Sequence, residues 1–167
     1  MENDDWRPVD GFPGYSVNPL GQVARNSTGR LLIPRISQYG VAYVGLMRGW
    51  QQCIRSLPRL VAIAFLPTPS DIFNTPIQLD GDPRNCRADN LMWRPRWYAV
   101  QYKRQFKERY DKPLKVPVRC IDDGEKFANS FEAAQRYGLL EREVVLSVLN
   151  RTPSWPTYQY FELVEMH

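Results

Sequence analysis

The sequence predicts an α+β protein assembled from small modules, with a small antiparallel sheet first and helices later. Two observations carry this. Short β-prone runs, cut apart by glycine, proline and asparagine, fill roughly the first fifty residues, and helical spacing of apolar residues begins only afterwards. The length, 167 residues, suits two or three modules, since one of about 60 residues is near the lower limit for an independent core.

Taken in order, Tyr15 to Val17, Gln22 to Ala24, Leu31 to Ile33 and Val41 to Leu46 read as strands between turns. Leu57 to Leu66 follows as a helix: Pro58 suits its first turn, and Pro67 and Pro69 stop it. Ile77 to Asp82 reads as a strand entering a D-G turn, with Asn85 to Trp93 as the return path. After Pro95 a basic linker helix is expected, with Tyr98, Tyr102, Phe106 and Tyr110 recurring every four residues along one side. Beyond Pro113 and Pro117, Val116 to Phe127 reads as two strands joined at Asp122-Asp-Gly124. Ser130 is the expected N-cap of a helix over Phe131 to Tyr137, which Gly138 breaks. Glu141 to Asn150 forms a second helix, with Val144, Val145, Val148 and Leu149 on its apolar side. The last pair is a helix-turn-helix candidate. The expected modules are 1–50, β-rich; 51–112, a core ending in the basic helix; and 113–167, the helix-turn-helix module.

Apolar residues make up 43% and charged residues 24%, the balance of a globular protein in water. No apolar run approaches the roughly 20 residues needed to span a bilayer. The first five residues lack the basic start and apolar stretch of a secretion signal, so a cytoplasmic location without membrane contact is expected. Cys53, Cys86 and Cys120 lie too far apart in sequence for a C-x-x-C metal pair and read as buried thiols. The one histidine is His167, which removes most mechanisms that use imidazole as base, acid or metal ligand. No metal and no cofactor are expected.

The net charge of +4 is unevenly spread. Between Arg94 and Arg119 nine basic residues face two acidic ones, a stripe suited to a polyphosphate backbone. The candidate DNA contacts there are Arg94, Arg96, Lys103, Arg104, Lys107, Arg109, Lys112 and Lys115. On the last helix Arg142, Ser147, Asn150 and Arg151 carry chemistry suited to base edges and phosphates.

Three stretches in order then give a resemblance. Trp6 to Val23 (WRPVDGFPGYSVNPLGQV) resembles the small module that precedes the nuclease core in phage intron-encoded HNH homing endonucleases. Arg59 to Phe65 (RLVAIAF), Leu79 to Asp82, Asn85 and Asn90 to Trp93 look like that family's core, and Val118 to Phe161 is similar to its C-terminal helix-turn-helix repeat. The resemblance implies a ββα core, with duplex DNA as partner. It also implies catalytic residues at positions where this chain carries others: Pro58 in place of a histidine, Ile77 in place of an Asp or Asn metal ligand, Gln78 in place of the general-base histidine and Ala99 in place of a second ligand. Asn90 is retained, twelve residues after Gln78. Hydrolysing a phosphodiester needs a base for water and a cation at the leaving oxygen. A glutamine amide takes no proton near neutral pH, so the chain is expected to be a degenerate HNH-like protein that is not an enzyme.

The reading that follows is sequence- or structure-directed binding of duplex DNA without cleavage, with a regulatory role in transcription. A protein-interaction module that modulates a host or phage polymerase or nuclease is the alternative, supported by aromatic residues such as Trp155, Tyr158, Tyr160 and Phe161. An active metal-dependent DNA endonuclease is the third.

Overall fold

The computed structural model describes residues 5–165, divided between two units, Met1–Ala99 and Val100–His167. His167 lies outside the described residues.

In the first unit, alternation of apolar and polar residues decides which face of each strand is buried. Strands β1 (Arg7–Val9), β2 (Phe12–Val17) and β3 (Val23–Arg25) pair antiparallel in that order. Their apolar positions, Val9, Phe12, Tyr15, Val17 and Val23, are buried. A second sheet, in the order β4-β5-β6, is formed by β4 (Arg35–Ile36), β5 (Ala42–Arg48) and β6 (Gln51–Ser56). It buries Ala42, Val44 and Leu46 and leaves its other face to solvent. The run Leu31 to Ile33, expected as a strand, makes only an isolated bridge from Leu31 to Ala24. β6 passes directly into α1 (Leu57–Phe65), with Pro58 in its first turn, where a missing N–H leaves no helical bond unmade.

α1 packs on β5 and on a hairpin made by β7 (Thr75–Gln78) and β8 (Leu91–Arg94). A 3-10 turn, Ala88–Asn90, leads into β8. Both sheets, α1 and the hairpin share one apolar core, running from Val9 through Leu46 and Val61 to Leu91 and Trp93. The module break expected at residue 50 instead falls within the two-residue turn between β5 and β6, because this common core needs strands from both sides of it.

α2 (Arg96–Arg104) crosses the division between the units at Ala99 and Val100, thirteen residues before the break expected at 112. Tyr98 and Tyr102 are buried as their spacing predicts. The helix does not continue to Tyr110: after Arg104 the chain turns, and the buried Gln105 side chain donates to Leu139 O (3.1 Å) and accepts from Glu141 N–H (3.0 Å).

The second unit contains β9 (Val118–Cys120), β10 (Lys126–Phe127), α3 (Ser130–Tyr137), α4 (Glu141–Asn150) and β11 (Phe161–Leu163), with sheet order β10-β9-β11. β11, which the sequence did not announce, completes the sheet by pairing Phe161 with Cys120 and Leu163 with Val118. The N-cap of α3 is Asn129, whose side chain accepts from Phe131 N–H (3.0 Å) and Glu132 N–H (2.9 Å). Ser130, expected in that role, is buried one residue further on, and its hydroxyl donates to Glu141 Oε1 (2.8 Å). Gly138 ends α3, and Leu139 and Leu140 bring the chain into α4. Val144 and Val145 are buried there, whereas Leu149, expected beside them, is exposed.

Candidate nucleic-acid interface

From Gly11 to Ser70 the chain contains six arginines and no acidic residue. The β4-β5-β6 sheet lies wholly within this stretch. Antiparallel register puts paired residues on one face, so Arg35, Tyr43, Gly45, Gln52 and Ile54 share the face opposite Ala42, Val44 and Leu46. Arg30, Leu32, Ile33, Arg35, Tyr43 and Gln52 line a groove of about 560 Å³ there. The Gln52 side chain lies across Gly45, in the space a Cβ would fill. The face thus offers guanidinium groups, one carboxamide and an apolar Ile54 together, the chemistry that pairs with phosphates, base edges and thymine methyl groups. The sequence reasoning missed these residues because it sought excess positive charge. The signal was absence of negative charge.

The positions of the nuclease-like core lie in the same unit. Pro58 and Ile77 are buried, Gln78 is half-buried, and its amide sits 3.5 Å from Pro83 O and 3.9 Å from Cys86 Sγ. Ala99 is half-buried on α2. Asn90 ties the D-G loop to the segment after it: its carboxamide donates to Asp80 Oδ1 (2.9 Å) and Asn85 O (2.9 Å), and accepts from Asp80 N–H (3.2 Å). Asn85 donates to the other Asp80 oxygen (2.6 Å). Burial, the largest influence, pushes the Cys86 thiol up to about 11, so it stays protonated. The divalent cation that the resemblance implies does not fit the residues present. Ile77 and Ala99 offer no oxygen, no three His, Cys, Asp or Glu side chains among the described residues are grouped to hold a metal, and no buried side-chain nitrogen or oxygen there lacks a hydrogen-bond partner.

The expected DNA contacts divide into two groups. Arg94 is only 3% exposed and donates to Trp93 O (2.7 Å), and Ser147 is 1% exposed and accepts from Phe161 N–H (3.0 Å). Both are buried and bonded within the fold, Arg94 to the carbonyl of the residue before it and Ser147 where β11 meets α4. Arg109 is engaged too, with Nη2 3.4 Å from the buried Glu141 carboxylate and its guanidinium 3.3 Å from the Phe131 ring centroid.

Arg96, Arg104, Lys107, Lys112, Lys115, Arg142, Asn150 and Arg151 are exposed, and Lys103 is half-buried. Desolvation first, then the neighbouring Lys107 charge, lowers the Lys103 ammonium from its usual value. Arg104 lies 4.0 Å from Glu108, while Arg142 bonds Glu143 (3.3 Å) and Gln101 (3.1 Å). Along α4 the solvent side therefore presents Arg142, Leu146, Leu149 and Asn150.

Residues 4–47 match the NUMOD4 motif, which is found in HNH homing endonucleases. No curated protein sequence matches the chain. A solved structure of the HNH homing endonuclease I-HmuI, described as showing DNA binding and cleavage, matches with a TM-score of 0.54 and 21% identity, covering 100% of both chains. The chain therefore has the fold of an HNH homing endonuclease from end to end, and the family resemblance read from the sequence is supported. The same match corrects the expectation that the chain is not an enzyme: the matching protein is an enzyme that cleaves DNA, and replacements at positions 58, 77, 78 and 99 do not themselves show that activity is lost. Among the described residues no helix is long and apolar enough to cross a membrane.

Proposed function

We propose that this chain binds duplex DNA in a sequence-directed way, through the outer face of the β4-β5-β6 sheet in one unit and the exposed side of α4, with the basic segment before it, in the other. The observation that carries the reading is the acid-free stretch from Gly11 to Ser70, whose Arg30, Arg35 and Gln52 line one solvent-facing groove. Guanidinium groups there draw in the phosphate backbone, and the Gln52 amide has the donor and acceptor pair that reads an adenine edge. The fold shared with a DNA-cleaving homing endonuclease adds to this reading. Occupancy of a defined site would let the protein regulate a promoter that overlaps it, which a reporter titration would measure.

The test is duplex binding across a salt series with magnesium present, the same samples then being run on a denaturing gel. Affinity should fall steeply with salt. Arg35→Ala should lower the salt slope by about one, whereas Gln52→Ala should change the ranking of sequences more than overall affinity. Charge reversal at Lys107 and Lys112 should weaken all sequences alike. Absence of salt-dependent binding would sink the proposal, and cut strands would extend it to a nuclease.

A second reading, a protein partner such as a polymerase or nuclease, rests on Tyr158 and Tyr160, exposed between the buried Pro156 and Phe161. One stoichiometric partner co-purifying with a protein that has no DNA affinity would favour it.

A further inference from the structure

The turn joining β5 to β6 consists of Gly49 and Trp50, closed by the Arg48–Gln51 pair. Gly49 has φ +60°, and Trp50 is not among the residues with positive φ. A two-residue hairpin whose first turn position alone has positive φ follows the type II′ pattern, which needs glycine there and suits small polar residues next to it. The turn therefore does not call for tryptophan. Trp50 is nevertheless 101% exposed, and its indole makes no hydrogen bond or ring contact with any described residue. Indole is rarely left so open, because its area carries a large hydrophobic penalty in water.

The hairpin beneath it is held firmly. Arg48 donates to Gly11 O (3.1 Å) and its guanidinium lies 4.7 Å from the Phe12 ring centroid, with Arg55 at 5.0 Å from the same ring. Met47 N–H donates to Tyr15 OH (3.1 Å). An apolar ring with no packing of its own thus stands on a tip anchored within two residues, inside the stretch that lacks acidic side chains.

We infer that Trp50 is a stacking wedge that packs against base faces of the bound duplex at a step that opens easily. This inference rests on the DNA-binding reading above and adds a contact to it. The positive surroundings favour the polyanion over an apolar protein surface, and a wedge gains most at pyrimidine–purine steps, which unstack with least resistance. An uncharged ring releases no counterions, so it strengthens binding without changing the salt slope.

The experiment compares the full chain with Trp50→Ala and Trp50→Phe on an alternating poly(dA-dT) duplex and on a mixed-sequence duplex. Base–aromatic stacking of about 1–3 kcal/mol corresponds to a loss of roughly five- to 150-fold for Trp50→Ala. That loss should be larger on poly(dA-dT), with Trp50→Phe intermediate, the salt slope unchanged and the unfolding midpoint that of the wild type. Wild-type tryptophan emission should be quenched on binding, and the part absent from Trp50→Phe belongs to this ring. If the wild type binds and Trp50→Ala binds equally well, the wedge is overturned while DNA binding stands. A lowered unfolding midpoint in Trp50→Ala would also overturn it, by making the ring structural. If the wild type binds neither duplex, both readings fall together.

Discussion

Arg109 belongs to the basic stripe, yet its surroundings assign it a structural task that can be measured. It bridges the buried carboxylate of Glu141, 2% exposed, and the face of Phe131, while the Arg109 side chain as a whole stays about half exposed. An exposed ion pair contributes up to about 1 kcal/mol, and a cation over an aromatic face about 0.5–1 kcal/mol at an exposed site. Removing Arg109 also leaves Glu141 buried with the Ser130 hydroxyl as its nearest donor at 2.8 Å, which adds to the loss. Arg109→Ala should therefore destabilise the second unit by about 2 kcal/mol, and Arg109→Lys, which keeps the charge but loses the planar fork, by about half of that. The assay is urea unfolding of the full chain, read by far-ultraviolet circular dichroism, with Lys107→Ala as the exposed control expected within about 0.5 kcal/mol of wild type. A double-mutant cycle with Glu141→Gln should give a coupling of about 1 kcal/mol. If Arg109→Ala falls within the range of the Lys107 control, or the two substitutions add without coupling, the bridging role is refuted and Arg109 returns to the set free to meet phosphate.

Three further outcomes follow from the geometry. Ser147→Ala should destabilise the second unit by about 1–2 kcal/mol, by leaving the buried Phe161 N–H without its acceptor, and should leave preference among DNA sequences unchanged; chemical unfolding and competition binding would read the two effects. Gly21 has φ +83°, and a Cβ there would lie 2.9 Å from Cys86 O. Gly21→Ala should thus lose about 2 kcal/mol or more in thermal unfolding, and Gly29→Ala, with φ +65° but open space, only about 1. Burial, reinforced by the 2.6 Å hydrogen bond to Asp123, raises the Tyr137 phenol above its usual value. A raised folded-state value gives stability that is fully present below the unfolded tyrosine value near 10 and is lost as pH rises beyond it. The midpoint of unfolding should fall above about pH 10, and Tyr137→Phe should flatten that fall; an identical alkaline profile in the variant would count against it.

What the sequence determined by itself is what short-range physics controls. Short β-prone runs between turn residues marked β2, β3 and β5, a proline in the first turn and prolines beyond the end framed α1, and Asp-Gly and Gly138 marked the turns around β7 and α3. The order of motifs from Trp6 to Phe161 pointed to the homing-endonuclease fold that the full-length match supports. Short strands without a strong pattern stayed hidden. β4 has two residues, and β11 exists because β9 supplies an open edge forty residues earlier.

Only the tertiary structure decided which polar residues face water. Ser147 and Arg109 sit in the same segments as exposed polar residues, but distant residues draw them into the fold: Phe161 meets Ser147, and Glu141 meets Arg109. Strand pairing likewise gathered Arg35, Tyr43, Gln52 and Ile54 on one face, although they are spread over twenty residues of chain. Local periodicity sets the phase of each helix or strand. The partner that covers one side of it comes from elsewhere in the sequence, so burial, and with it the choice between a structural arginine and a ligand-binding one, is fixed only when the chain closes on itself.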